Sequence, residues 1–167
     1  MCGPSSQKST QGVIRMDIRT ADEMNAACKA VFRTVDLAIC AAAVADYKPL
    51  SVANQKIKKK DAALQIDLAP TPDILAGLGA EKTHQVLVGF ALETENEEHN
   101  AKSKLERKNL DLIVLNSLQD KGAGFGHDTN KITLIDRNNK KHSFGLKSKQ
   151  DVAKDIVNHI VENHFHA

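Results

Sequence analysis

Apolar positions change their spacing several times along the chain, and each change predicts an element. Residues 13–18 alternate, with Ile14, Met16 and Ile18 on one side and Arg15 and Asp17 on the other, as in a half-buried strand. Thr20-Ala21-Asp22-Glu23 has the form of a capping box. Behind it Met24, Ala27, Cys28, Val31 and Phe32 recur at helical spacing over about four turns. Residues 37–44 are apolar without alternation, which suits a central parallel strand covered on both faces. Residues 46–62 lose the pattern and carry Pro49 and Lys56-Ile57-Lys58-Lys59-Lys60, a mobile basic loop. Leu64, Ile66 and Leu68 alternate again as a strand. Thr71-Pro72-Asp73 predicts a short helix with Thr71 as N-cap and Pro72 in the first turn.

Residues 86–90 read as a buried strand, and Thr94-Glu95-Asn96-Glu97 as a second capping box opening a charged helix to about Asn109. Residues 111–116 are a further core strand, and a long loop spans 117–130. Residues 131–136 and 142–146 flank Arg137-Asn138-Asn139-Lys140-Lys141 as a hairpin. Ser148 caps a last helix with Val152, Ile156, Ile160 and Val161 turned inward. Strands alternating with helices predict a three-layer, Rossmann-like α/β fold with a mainly parallel sheet and a late β-hairpin. Residues 1–167 show no repeat and no linker, and read as one domain.

Composition narrows the function. An apolar fraction of 41% over 167 residues fills one ordinary core. With a net charge of +2, no Trp and one Tyr, neither a general nucleic-acid surface nor a stacking platform is present, so an anion site must be local. No stretch is apolar for ~18 residues, as a membrane span requires, and Met1 to Ser6 has no signal-peptide core. The three cysteines, Cys2, Cys28 and Cys40, form no CxxC pair, and Cys28 and Cys40 lie in apolar stretches. They read as small hydrophobes in a reducing compartment, and the expected location is the cytoplasm.

Ligands of open parallel sheets bind beyond the carboxyl ends of the strands. Four segments leave core strands with polar groups: Ala45-Asp46-Tyr47, Pro72-Asp73, Gly89 to Thr94, and Asn116 with the loop after it. The helix starts at Thr71 and Thr94 offer N–H groups to a phosphate. From spacing alone, Asp46 reads first as a strand-end turn. Lys104 and Lys108, four apart on one helix face, read first as a solvated surface, as does the Lys56–Lys60 loop. Gly122-Ala123-Gly124-Phe125-Gly126 runs into Asp128-Thr129-Asn130 and not into a helix, which disfavours a dinucleotide fingerprint and a nicotinamide-dependent reductase. His159, His164 and His166 have no carboxylate or cysteine companions, so no metal ligands are assigned.

Several strings are more specific: Ala42-Ala43-Val44-Ala45-Asp46-Tyr47, Lys56-Ile57-Lys58-Lys59, Thr71-Pro72-Asp73-Ile74-Leu75, Val88-Gly89-Phe90-Ala91-Leu92-Glu93-Thr94, Lys104 to Asp111, and Gly124 to Asn130. In order and spacing they resemble the bacterial phosphopantothenoylcysteine synthetase domain, usually the C-terminal half of a bifunctional protein. Its other half is an FMN-dependent decarboxylase, for which this chain has no counterpart. The resemblance implies a cytoplasmic, homodimeric ligase of coenzyme A synthesis that joins 4′-phosphopantothenate to L-cysteine. It consumes CTP with Mg²⁺ bound through the triphosphate, and passes through an acyl-cytidylate.

By resemblance, Cys40, Ala41, Ala42, Asp46, the turn Pro72, Asp73, Ile74 and Leu75, and Phe90 hold cytidine and phosphates. Lys104 and Lys108 hold the triphosphate, and Lys56 closes over the reacting centre. Ala42, Ala43 and Asp46 also meet the pantothenate arm. The family's first strand, glycine-rich turn and an asparagine segment that stabilises the acyl-cytidylate lack a counterpart before Gly3-Pro4. The expectation is therefore an N-terminally truncated ligase domain, poorly active alone. The alternative is a non-catalytic remnant that binds a nucleotide or only dimerises.

Overall fold

The computed structural model describes residues 1–59, 63–117 and 126–165. Two compact units are present. One is made of Met1–Ala30 and Ala42–Ile74, the other of Val31–Ala41 and Leu75–Ala167.

The first unit contains most of α1 (Ala21–Phe32) and a two-stranded ladder, β2 (Tyr47–Pro49) with β3 (Leu68–Pro70); β1 (Leu37–Cys40) belongs to the second. The capping box at α1 forms reciprocally. Glu23 N–H donates to Thr20 Oγ1 at 3.1 Å, while Glu23 Oε2 accepts from the N–H groups of Thr20 (3.2 Å) and Arg19 (2.8 Å). The helix has 12 residues, about three turns where about four were expected. Thr71 ties the end of β3 back to the chain before β2. Its N–H donates to Asp46 O at 2.9 Å and its hydroxyl to Ala45 O at 2.6 Å. Those bonds correct the helix start, because Thr71 caps nothing and α2 (Ile74–Glu81) begins three residues later.

Two predicted strands of this unit are corrected. Residues 13–18 form only one parallel bridge, Cys2 with Asp17, and Ile14 is 89% exposed while Ile18 is buried. A strand exists only where a partner's backbone continues beside it, and here Cys2 alone exchanges bonds, with Met16 O and Ile18 N. The strand expected at Leu64–Leu68 is displaced to Leu68–Pro70. Leu64, Ile66 and Leu68 are all more than half exposed, so their alternation does not mark a buried face.

The second unit is a five-stranded sheet ordered β1-β4-β5-β6-β7, with β4 (Val86–Glu93), β5 (Leu112–Ser117), β6 (Thr129–Asp136) and β7 (Lys141–Ser148). β1, β4 and β5 are parallel, and β6 and β7 are added antiparallel as the expected hairpin. Asp136 builds its turn by accepting from the N–H groups of Asn138 (2.9 Å) and Lys140 (2.8 Å), with Asn139 left-handed at φ 60°. On one face α4 (Lys149–His164) inserts Val152, Ile156 and Ile160 among Val88, Leu112, Val114, Ile132 and Leu134. Ser148 caps this helix as expected, accepting from Asp151 N–H at 3.1 Å. Val161 departs from expectation: it is 38% exposed, one residue beyond the buried stripe.

The opposite face carries α2 and α3 (Glu97–Arg107), which gives three layers. The backbone approach there is close. A Cβ on Gly79 of α2 would lie 1.9 Å from the Lys108 carbonyl oxygen, and one on Gly89 of β4 would lie 2.7 Å from Leu75 Cδ2. The expected central strand 37–44 is corrected to β1, which ends at Cys40 and is an edge of this sheet, with Ile39 39% exposed. Beyond Cys40 the chain takes no regular structure before β2. The second expected capping box is also corrected. Asn96, left-handed at φ 47°, is the N-cap of α3 without a side-chain bond, and Glu97 accepts from Ser117 Oγ at 2.5 Å instead. The glycine run from Gly122 to Phe125 and the residues Lys60 and His166 lie outside the described residues.

Candidate nucleotide site

In the second unit, parallel pairing brings the carboxyl ends of β1 and β4 side by side, with Cys40 in register with Gly89. The lack of a side chain at Gly89 lets Leu75, at the start of α2, pack directly onto the strand. Phe90, the next residue, is half-buried and packs on the principal core. Four residues along α2, Gly79 gives the same close approach to the Lys108 carbonyl. Leu75 and Lys108 are therefore placed by the close packing of α2 against β4 and the end of α3, Cys40 by its register with Gly89, and Phe90 by the core on the opposite face of the sheet. Ala41 follows Cys40 and is exposed.

Lys104 lies one turn before Lys108 and is half-buried, its side chain 26% exposed. Side chains on a helix lean toward its N-terminus, which carries this ammonium back toward the last residue of β4. There Nζ stands 3.4 Å from Glu93 Oε1. The other carboxylate oxygen of Glu93 accepts from Asn100 Nδ2 at 3.2 Å, and Asn100 also donates to Glu95 O at 3.0 Å. Asn100, Lys104 and Lys108 thus form a stripe of i, i+4, i+8 positions, with Glu93 bonded to the first two. Sequence reasoning found the two lysines and missed Glu93 and Asn100. The i, i+4 spacing of Asn100 before Lys104 was the available signal.

In the first unit, Ala42, Ala43, Asp46, Pro72 and Asp73 are exposed and Ile74 is buried. The backbone carbonyls of Ala45 and Asp46 are occupied by Thr71, which leaves the Asp46 carboxylate on an anchored turn. Lys56 is exposed, in a stretch without regular structure.

Metal-binding groups do not converge. Among the described residues no three His, Cys, Asp or Glu side chains gather to hold an ion. His159 packs tilted against His142, with ring centroids 5.4 Å apart. Burial, and then its neighbours His142 and His164, hold its imidazole below the ordinary histidine value. None of the three cysteines is in a disulfide; each is half-buried, and burial pushes the Cys28 thiol up. Among the described residues no helix is long and apolar enough to cross a membrane.

Comparison with known proteins places this geometry. The family model for the DNA/pantothenate metabolism flavoprotein C-terminal domain matches residues 1–164. A cysteine/cysteine sulfinic acid decarboxylase from an unknown prokaryotic organism is 54% identical over 154 residues, 92% of this chain and 43% of that protein. The coenzyme A biosynthesis bifunctional protein CoaBC of Bacillus subtilis (strain 168) is 42% identical over 159 residues, 95% of this chain and 39% of that protein. The chain thus spans about two fifths of the length of these relatives. The crystal structure of the C-terminal domain of a coenzyme A biosynthesis bifunctional protein CoaBC superposes with a TM-score of 0.78 at 34% identity, covering 96% of this chain and 72% of that one. The chain belongs to the family of DNA/pantothenate metabolism flavoprotein C-terminal domains.

Proposed function

We propose that this chain is the ligase domain of a coenzyme A biosynthesis protein, joining 4′-phosphopantothenate to L-cysteine at the expense of CTP. The observation that carries the reading is the family match over residues 1–164, with relatives named for coenzyme A biosynthesis aligned along nearly the whole chain. In the first step a carboxylate oxygen of phosphopantothenate attacks the α-phosphorus of CTP. The bond from that phosphorus to the bridging oxygen breaks, and pyrophosphate leaves. In the second step the cysteine amine attacks the acyl carbon, CMP leaves with the electron pair of the acyl–oxygen bond, and one amine proton passes to solvent.

Cys40, Ala41, Ala42, Asp46, Pro72, Asp73, Ile74, Leu75 and Phe90 are assigned to the cytidine and phosphates. Ala42, Ala43 and Asp46 are also assigned to the pantothenate arm. The cations Lys104 and Lys108 serve the β- and γ-phosphates. Lys56 meets the charge that develops on the α-phosphate, an interaction that lowers the barrier only if it strengthens in the transition state. The protein acts in the cytoplasm, as a homodimer. The test is release of pyrophosphate and formation of phosphopantothenoylcysteine by the protein that carries this chain, supplied with CTP, phosphopantothenate and cysteine. Pyrophosphate release that depends on all three supports the reading, and its absence rejects it.

A second reading is that the domain is non-catalytic and binds a nucleotide or dimerises beside a decarboxylase. It is favoured by the 54% identity to a protein named for decarboxylation of cysteine or its sulfinic acid, above the 42% to the Bacillus subtilis protein. The same assay separates the two.

A further inference from the structure

Glu93 is a carboxylate at the carboxyl end of a core strand, beside a lysine assigned to a triphosphate, where a negative charge opposes the ligand. Its contacts explain the placement. The Lys104–Glu93 pair is partly exposed, with side chains 26% and 18% accessible and a separation of 3.4 Å. A pair of this kind adds at most about 1 kcal/mol to stability. Asn100 grips the second oxygen of Glu93 and is itself fixed by Glu95 O, so the carboxylate is held from two sides. A lysine ammonium has three donors. Glu93 takes one, which leaves two for another anion while the four-carbon stem is already ordered.

We propose that Glu93, oriented by Asn100, is a positioning residue that presets Lys104 for the β- and γ-phosphates of the bound nucleotide. This rests on the nucleotide-binding reading above and adds to it a residue that acts through Lys104 without touching the ligand. Ordering a long side chain before binding is worth about three- to tenfold in affinity. That gain applies only to ligands which Lys104 reaches.

The test is calorimetric titration of CTP and CMP into the protein, the Glu93→Gln and Lys104→Met variants, and the double variant. Glu93→Gln keeps an oxygen for Asn100 and removes the charge that holds Lys104. It is expected to weaken CTP binding about three- to tenfold, to leave CMP binding unchanged, and to add no loss in the Lys104→Met background. Glu93→Asp is expected to restore part of the loss. Equal losses for CTP and CMP, a loss that persists in the Lys104→Met background, or tighter CTP binding by Glu93→Gln would each overturn the proposal. A Lys104→Met loss of CTP affinity with Glu93→Gln like the parent overturns it while the nucleotide reading stands. A parent protein that binds no CTP overturns both.

Discussion

Asp111 and Lys82 form a two-pronged ion pair, Lys82 Nζ standing 2.8 and 3.0 Å from the two carboxylate oxygens with only 8% of the lysine side chain exposed. Asp111 also accepts the Leu87 N–H at 2.7 Å and faces Arg137 Nε at 2.9 Å. One carboxylate therefore fastens the amino-terminal ends of β4 and β5 to the hairpin turn. Asp111→Ala is expected to cost about 3 kcal/mol, because it leaves a buried cation and a buried amide without their acceptor. Asp111→Asn keeps an oxygen for Leu87 and should lose less. Urea unfolding midpoints check the order.

The two close-approach glycines should respond differently. A Cβ on Gly89 meets the ends of Leu75 and Leu110 at 2.7 and 2.8 Å, groups that can turn aside. Gly89→Ala is therefore expected to cost about 1–3 kcal/mol. On Gly79 a Cβ would meet the Lys108 carbonyl oxygen at 1.9 Å, and that backbone is further held by Asn109 Nδ2 on Gly79 O at 2.8 Å. Gly79→Ala must push α2 off the end of α3 and is expected to be the more damaging. Equal thermal midpoints for the two variants would show that α2 shifts freely.

Two groups set a pH dependence. Hydrogen bonds from Lys102 and Lys141 lower the Glu98 carboxyl from 4.5 to about 2. A depressed value stabilises the fold above the unfolded carboxyl's pKa, and the gain is lost as pH falls from about 4.5 toward 2. Glu98→Gln should flatten the fall of thermal midpoint in that window. His159 is depressed by burial, so it favours the fold above the ordinary histidine value of 6.5 and loses that contribution as pH drops below it. His159→Phe should flatten the region just under pH 6.5. An unchanged slope in either variant would remove its group from the account.

Lys56→Gln is expected to keep CTP affinity within a few-fold while lowering single-turnover pyrophosphate release by about 10²-fold. Lys58→Gln and Lys59→Gln should each do much less. Three equal effects would make the stretch a diffuse positive patch.

Local chemistry was legible in the sequence, and partners were not. Thr20 with Glu23, and Ser148 with Asp151, are contacts three residues apart that complete themselves wherever the chain goes. Thr94 to Glu97 has the same letters, yet Ser117, twenty residues on, takes the glutamate. Alternation at Ile14–Ile18 and Leu64–Leu68 marked no buried face, because a strand's inner side is set by a neighbouring strand that the local pattern cannot reveal. The same gap hid β1's place at an edge. In the candidate site the lysines stood out through their helical spacing and a family resemblance. Glu93 became visible only when β4 and α3 were packed together.

The strand β5 has a neighbour on each side, and its Leu112, Ile113 and Val114 are wholly buried. Among the described residues the β2–β3 ladder has three residue pairs and no third strand. Amides of β5 should therefore exchange with deuterated solvent only when the whole second unit unfolds, while those of β2 and β3 exchange through small local openings. Slowed exchange at Tyr47, Lys48 and Ala69 on adding CTP would then report ordering around the bound nucleotide. The amides of β5 should slow only by as much as the nucleotide stabilises the second unit as a whole, which separates that global effect from local ordering.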